Sequence, residues 1–211
     1  MLLKTPVDWQ YNGHADFSDA LLTERSVRIV SAFLSQERAP TVALMRDTRP
    51  LHAALFDGLT PVDMPYFAGH YRGEPFANLQ RYVVYFGPNK GVDPWWVLKS
   101  INQLSDQIRD QLLALEKLWD VNVPELPMED KLVRLAEVGA AIFERFLTIH
   151  PYADGNGHIS RMLLVALCSL FGLRAVISIH PRPTGVPLAQ LLQMHRTGNR
   201  RPLVMYILQI I

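Results

Sequence analysis

Cysteine is almost missing from this sequence. Cys168 stands alone among 211 residues, which excludes an intramolecular disulfide framework and a cysteine-built zinc cluster. It sits in an apolar run and reads as a small buried hydrophobe. A charge excess is missing too. The formal net charge is +1, so no global electrostatic case exists for nucleic acid or membrane as a partner. Long hydrophobic runs are absent: Met162 to Phe171 is apolar almost all round but spans only ten residues, about half of a bilayer crossing. Met1-Leu2-Leu3-Lys4 leads into Pro6 and Asp8 without an apolar stretch, so no secretory signal is visible and the cytoplasm is the expected compartment. Internal repeats, low-complexity tracts and long linkers are lacking. With 49% apolar residues, the chain is expected to form one domain, or one domain with a small appendage, around a proper core.

One absence is local. No Asp or Glu follows Asp154, whereas six arginines do: Arg161, Arg174, Arg182, Arg196, Arg200 and Arg201. A cationic C-terminal quarter suits a polyphosphate site, with an RNA-contacting surface as the rival reading.

What is present is mostly helical periodicity. Residues 1–17 carry Trp9, Tyr11 and Phe17 without a period and read as an irregular arm. Ser18 or Asp19 is placed to cap a helix over Ala20 to Gln36. Pro40 suits the first turn of the next helix, which runs to about Gly58 and which Pro50 divides or kinks. From Pro94, apolar residues from Trp95 to Leu118 keep the helical period through Trp119. Pro124 and Pro127 break the chain, and another helix starts near Met128 with Glu129 and Asp130 favourable to its dipole. Further helices are expected over Val186 to His195 and Pro202 to Ile211. The strongly apolar C-terminus is expected either to be buried or to mark a cut within a larger protein. The best strand candidate is Tyr82-Val83-Val84-Tyr85-Phe86. It predicts a hairpin within Tyr66 to Phe86 with Asn78 in or near the turn, followed by a loop over Gly87 to Gly91.

The chemistry concentrates in His150-Pro151-Tyr152-Ala153-Asp154-Gly155-Asn156-Gly157-His158-Ile159-Ser160-Arg161. Leu135, Val138, Ile142, Phe146 and Ile149 mark a helix that Pro151 ends. Gly155 and Gly157 allow a tight curl, and a second helix runs from Ile159 through Met162 to Phe171. The loop between them presents N–H groups at a helix N-terminus, where anions bind. Asp154 beside that nest suits Mg²⁺ held by one carboxylate and substrate phosphates. Arg161 is one turn into the second helix, where its fork meets a terminal phosphate. His150 is able to take a proton from a hydroxyl. Singly, each of these residues fits a plain turn with incidental basic neighbours equally well. Together they spell phosphoryl or nucleotidyl transfer.

This segment closely resembles the signature of Fic-domain proteins, His-Pro-Phe-x-Asp/Glu-Gly-Asn-Gly-Arg-x-x-Arg. An upstream stretch, Ala68-Gly69-His70-Tyr71-Arg72, is similar to that family's Ala-Gly-x-Tyr/Phe-Arg segment. The resemblance covers about residues 40 to 210. It implies a mostly α fold with a helix–loop–helix active site and a small β-hairpin flap. A Fic-type domain over 40–211 would follow an N-terminal arm and helix over 1–39, in a single structural unit. His52, Leu55 and Phe56 are similar to a run preceding the flap in that family, with His52 packed rather than catalytic. The implied activity is transfer of AMP from ATP to a Ser, Thr or Tyr hydroxyl of a target protein with Mg²⁺. By resemblance, His150 is the general base and Asp154 the metal ligand. Gly155, Asn156 and Gly157 form the anion cradle, and Arg161 meets the terminal phosphate. The glycine at 157 favours nucleotidyl transfer, since relatives with Lys there transfer phosphate. The flap over residues 66–86 would dock the target by strand addition.

His158 departs from the signature by replacing an arginine. A neutral imidazole offers one donor in place of a charged fork, a loss of roughly 1.5–3 kcal/mol if the contact forms, which protonation of His158 would partly restore. The alternatives are therefore the same fold with another nucleotide donor or the reverse reaction, and a nucleotide-binding pseudoenzyme. Many Fic proteins are restrained by a Ser/Thr-x-x-x-Glu-Gly/Asn helix, but here no Glu is followed by Gly or Asn. The resemblance then implies restraint by an antitoxin in trans, by an extension, or none at all. The antitoxin is the favoured expectation.

Overall fold

The structure, a computed structural model, describes residues 15–35, 37–86, 89–120, 126–185 and 187–211. Those residues form eight α-helices and one two-stranded ribbon. In chain order they are α1 (Ala15–Ser35), α2 (Arg38–Arg46), α3 (Arg49–Phe56), a 3-10 turn (Pro65–Phe67), β1 (Tyr85–Phe86), β2 (Asn89–Lys90), α4 (Pro94–Trp119), α5 (Met128–Ile149), α6 (Asn156–Ser169), α7 (Leu188–Arg196) and α8 (Arg201–Ile210). The mostly α class expected from periodicity is what the chain adopts.

The architecture is built around α6. Every residue from Ile159 to Cys168 is buried, because α1, α2 and α5 pack on different sides of it. Burying large side chains such as Met162, Leu163 and Leu167 contributes about 1.5–3 kcal/mol each, so this short helix anchors the core. On the outside, α4 packs on α2 and α5, while α8 lies on α5 and α7 on α8. Leu203 and Ile207 bury the last helix, and Val176 N–H donates to Ile210 O at 2.6 Å, so the apolar end of the chain is covered. No helix among the described residues is long and apolar enough to cross a membrane.

Prolines explain several boundaries. Pro50, Pro94 and Pro202 lie in the first turns of α3, α4 and α8, where a missing N–H costs nothing. Pro50 does divide the second helical stretch, with Asp47 and Thr48 as the break.

Three expectations need correction. First, α1 begins at Ala15 rather than Ala20. Ser18 is not a cap but part of a buried stripe with Leu22, Ser26, Ile29 and Phe33, whose helical spacing carries the helix a turn further upstream. The remainder of the proposed arm, Gln36, Gly87, Pro88, Pro124 and Val186 lie outside the described residues. Second, α5 stops because His150 turns left-handed at φ 52°. Pro151 only forbids continuation. Third, the hairpin is not folded within 66–86. Residues 65–82 curl through local turns, such as Leu79 N–H to Phe76 O and Tyr82 N–H to Leu79 O, and Asn78 bonds to Tyr66 Oη rather than forming a hairpin turn. The ladder pairs Tyr85 with Lys90 and Phe86 with Asn89. The supposed loop thus supplies the second strand. Gly91 N–H adds one bond to Val84 O at 3.1 Å, and Arg72 holds Tyr82 O, so the pairing stops short of the start of the Tyr82–Phe86 run.

Candidate active site

The loop between α5 and α6 is held from beneath by the upstream segment. Arg72 is 1% exposed and gives Nε to His150 O at 2.8 Å, Nη1 to Tyr82 O at 2.9 Å, and Nη2 to Val92 O and Ile149 O at 2.9 and 3.1 Å. Its backbone N–H donates to Pro151 O at 2.8 Å. One side chain therefore ties the end of α5 to the strand run and to the chain entering α4. Burial pushes its guanidinium down to about 10, still charged at neutral pH.

His52 and Tyr152 make a second tie. His52 Nδ1 accepts Gly69 N–H at 3.0 Å, and Nε2 lies 3.1 Å from Asp154 O. The bond at Nδ1 assigns the hydrogen to Nε2. Its ring stacks on Tyr152 at 3.8 Å, and full burial lowers its pKa to about 3. His52 is packed, as its sequence context suggested. Tyr152, where the signature has Phe, meets Thr48 Oγ1 through its hydroxyl at 2.7 Å, so the added polar atom is satisfied although fully buried.

Gly155 closes the turn at φ 76°, and a Cβ there would fall 2.3 Å from the Phe56 ring; no other residue fits. Asn156 spends its whole amide on Tyr152: Oδ1 accepts Tyr152 N–H and Nδ2 donates to Tyr152 O, both at 2.9 Å. The next helix therefore starts at Asn156, three residues before the sequence boundary, with His158 N–H and Ile159 N–H returning to Gly155 O at 3.0 and 3.1 Å. The N–H groups of Asn156 and Gly157 have no acceptor among the described residues. They form the anion-facing end of α6.

These groups line one cavity of about 570 Å³, to which His150, Asp154, Gly155, Asn156, Gly157, His158 and Arg161 all contribute. Every candidate residue taken from the sequence is thus brought together. His150 Nδ1 is 3.1 Å from Leu147 O. Because a carbonyl only accepts, the hydrogen is assigned to Nδ1, and Nε2 becomes the basic nitrogen. Burial lowers its pKa to about 4, so the ring is neutral at pH 7. Asp154 Oδ1 accepts Gly155 N–H at 2.6 Å, and among the described residues Asp154 is the only carboxylate on the cavity wall. Among the described residues no cluster of three or more metal-ligating side chains exists. A single carboxylate beside an anion cradle nonetheless fits Mg²⁺, which commonly binds through one carboxylate plus substrate phosphates.

Arg161 is 3% exposed. Its Nη2 donates to Ile179 O at 2.5 Å, while its buried Nε has no partner among the described residues. Such a guanidinium is costly unless something charged arrives. Gly157 lets the fork approach the helix start, since a Cβ there would lie 3.3 Å from Arg161 Nη1.

His158 does not wait for phosphate. Its Nε2 is 3.1 Å from His180 Nδ1 with the rings stacked, and burial, then Arg161, push it down to about 3. In the ligand-free chain the ring is therefore neutral at pH 7, and the partial compensation by protonation is not in place before a phosphate arrives. Sequence reasoning named Arg182 and Arg196 only as members of a cationic C-terminal quarter, and it missed Gln193 and the apolar wall of Leu147, Leu188 and Leu192. Arg196 is held by Glu144 Oε1 at 2.9 Å and Thr148 Oγ1 at 3.0 Å. The run of arginines without acids was the available signal, but it did not say which ones turn inward.

The sequence model of the Fic/DOC family matches residues 45–168. No curated protein matches the chain significantly. Among solved structures, the chain is similar to the BepC protein of Bartonella tribocorum, a VirB-translocated Bartonella effector protein crystallised with bound AMPPNP. The TM-score is 0.59 at 16% identity, covering 96% of this chain and 90% of that one. At that identity the likeness speaks to the fold.

Proposed function

This chain belongs to the Fic/DOC family, and on that footing we propose that it is a protein adenylyltransferase. It would move AMP from ATP to a Ser, Thr or Tyr hydroxyl of a target protein. The observation that carries this reading is the convergence of a neutral histidine, an open helix N-terminus and an incompletely bonded buried arginine on one cavity. His150 Nε2 accepts the proton of the target hydroxyl as its oxygen bonds to the α-phosphorus. The bond to the bridging oxygen breaks and pyrophosphate leaves. The N–H groups of Asn156 and Gly157 stabilise the charge that grows on the α-phosphoryl oxygens, and the Arg161 fork takes the terminal phosphate. Asp154 would hold Mg²⁺, which when bound neutralises phosphate charge. Leu147, Leu188 and Leu192 offer an apolar wall to the base, with the Gln193 amide to read its edge.

The target would dock at the short ribbon of Tyr85–Phe86 and Asn89–Lys90, since Asn89 lies on the cavity wall. Restraint would come from an antitoxin in trans. The support is that, among the described residues, Arg161 has no hydrogen-bonded or ion-paired carboxylate.

ATP labelled on the α- or the γ-phosphate, offered with Mg²⁺ and a protein mixture, tests the reading. Label from the α-phosphate alone, lost in His150→Ala, is expected. Label from the γ-phosphate would make the chain a kinase. A second reading, a nucleotide-binding pseudoenzyme, is favoured by the turning of His158 toward His180. Tight ATP binding with no labelling from either position would establish it.

A further inference from the structure

The three-residue stretch His180-Pro181-Arg182 lies on an irregular segment between α6 and α7, and it is fixed from two sides. Asp19 Oδ1, on α1, lies 3.1 Å from His180 Nε2. A carboxylate only accepts at neutral pH, so His180 Nε2 carries the hydrogen, and in that tautomer Nδ1 is the lone-pair nitrogen. His158 then donates its Nε2–H to that nitrogen at 3.1 Å. Its ring also meets the Phe56 edge at 5.5 Å. One residue earlier, Ile179 O is held by Arg161 Nη2. The start of the segment is thus pinned by two side chains of α6 and one of α1. His158 has spent its hydrogen on this anchor and has none from that nitrogen for a phosphate.

Two residues past the anchor, Arg182 lines the same cavity as Arg161. It is exposed, and among the described residues it has no hydrogen bond or ion pair. Its charge is near enough to disfavour the charged form of Arg161. Arg196 on the same wall is already held by Glu144, which leaves the charges of Arg161 and Arg182 facing a cavity where Asp154 is the only carboxylate among the described residues; a polyanion balances them better than a single phosphate.

We propose that Arg182 is the second polyphosphate-binding arginine of this site, and that His158, His180 and Asp19 are positioning residues that hold it there. The inference rests on the nucleotide reading above and adds to it a second cation for the polyphosphate, one that comes from outside the helix–loop–helix segment. The position where the signature has an arginine has been given over to anchoring a loop, and the cation arrives on that loop.

Calorimetry on the full chain with ATP, AMP and inorganic tripolyphosphate tests this. Arg182→Ala is expected to weaken ATP and tripolyphosphate by about tenfold or more while changing AMP by less than about twofold. Arg182→Lys should recover part of the loss. Asp19→Ala, on an exposed side chain outside the cavity, should move the ATP-to-AMP affinity ratio in the same direction by a smaller factor. Equal weakening of ATP and AMP in Arg182→Ala, or no weakening of either, would overturn the proposal. A parent chain that binds tripolyphosphate through Arg182 but not ATP would sink the nucleotide reading and leave this one standing. A parent that binds none of the three sinks both.

Discussion

Arg72 and Arg161 are both almost fully buried, at 1% and 3% exposure, and burial lowers both guanidinia to about 10. They differ in what has been done with their hydrogens. Every nitrogen of Arg72 donates to a backbone carbonyl, across three separate stretches of chain. Among the described residues, Arg161 has a single carbonyl, Ile179 O, and a buried Nε without a partner. A buried charge whose donors are all used holds the fold together. One whose donors are left over is a site, because the folded chain has already accepted the desolvation and a ligand collects the unspent bonds. The histidines repeat the contrast: His52 uses both ring nitrogens between Gly69 and Asp154, whereas His150 fixes Nδ1 on Leu147 and turns to the cavity.

The largest effect should come from removing the satisfied arginine. Arg72→Met leaves the carbonyls of Tyr82, Val92, Ile149 and His150 short of a donor. Each buried acceptor left without its donor costs about 1–3 kcal/mol, so losing this network should cost several kcal/mol. Urea unfolding should show the stability falling by that order. A loss below about 1 kcal/mol would remove the distinction on which the contrast rests.

Arg161→Met should do the reverse. Stability is expected to stay within about 1 kcal/mol of the parent, since an incompletely bonded buried charge is exchanged for an apolar side chain. ATP affinity should fall by roughly 1.5–3 kcal/mol, about tenfold to a hundredfold. If the variant unfolds as readily as Arg72→Met and binds ATP normally, the two arginines have been assigned the wrong way round.

The histidine pair adds a pH window. The pKa of His150 is lowered to about 4 and that of His158 to about 3, both below the ordinary imidazole value of about 6.5. Folded chains therefore keep a neutral base well below neutrality, and kcat/KM of the free enzyme should stay level to about pH 5 before declining. Stability follows the same shifts with a definite sign. Between about 6.5 and the folded values the unfolded chain binds more protons, so stability falls as pH drops through that window and is unaffected above it. An activity decline centred near 6.5 would show that burial does not govern His150.

Much of this was legible before any coordinates. The bounds of α4 match the expected Pro94 to Trp119, because a proline start and a long apolar period are local signals. The helix–loop–helix site was legible for the same reason: its histidine, carboxylate, glycines and arginine lie within one short segment. What failed was decided by contacts distant in sequence. Tyr82–Phe86 has strand chemistry, but Arg72 holds Tyr82 O and the pairing stops short of the start of the run. Arg182 is an arginine in an irregular stretch, and its place on the cavity depends on His158, His180 and Asp19 meeting across more than a hundred residues.

The smallest predicted effect is also the sharpest test of the contrast, because it changes neither arginine. Gly157 sits in the first turn of α6, and a Cβ there would lie 3.3 Å from Arg161 Nη1 with no other close neighbour. Its backbone is not left-handed, so Gly157→Ala is conformationally allowed. Alanine is favoured over glycine in helices by up to about 1 kcal/mol, less in the first turn, so the variant should be level with the parent or more stable by a few tenths. The fork, however, must give way by a few tenths of an ångström, and ATP affinity should fall by roughly threefold, about 0.6 kcal/mol. In an Arg161→Met background the same change should leave ATP affinity untouched, since the crowded atom is gone, and the two substitutions should be non-additive by that amount. Strict additivity would mean that Gly157 acts on the ligand directly, through its own N–H and not through the space it leaves for Arg161.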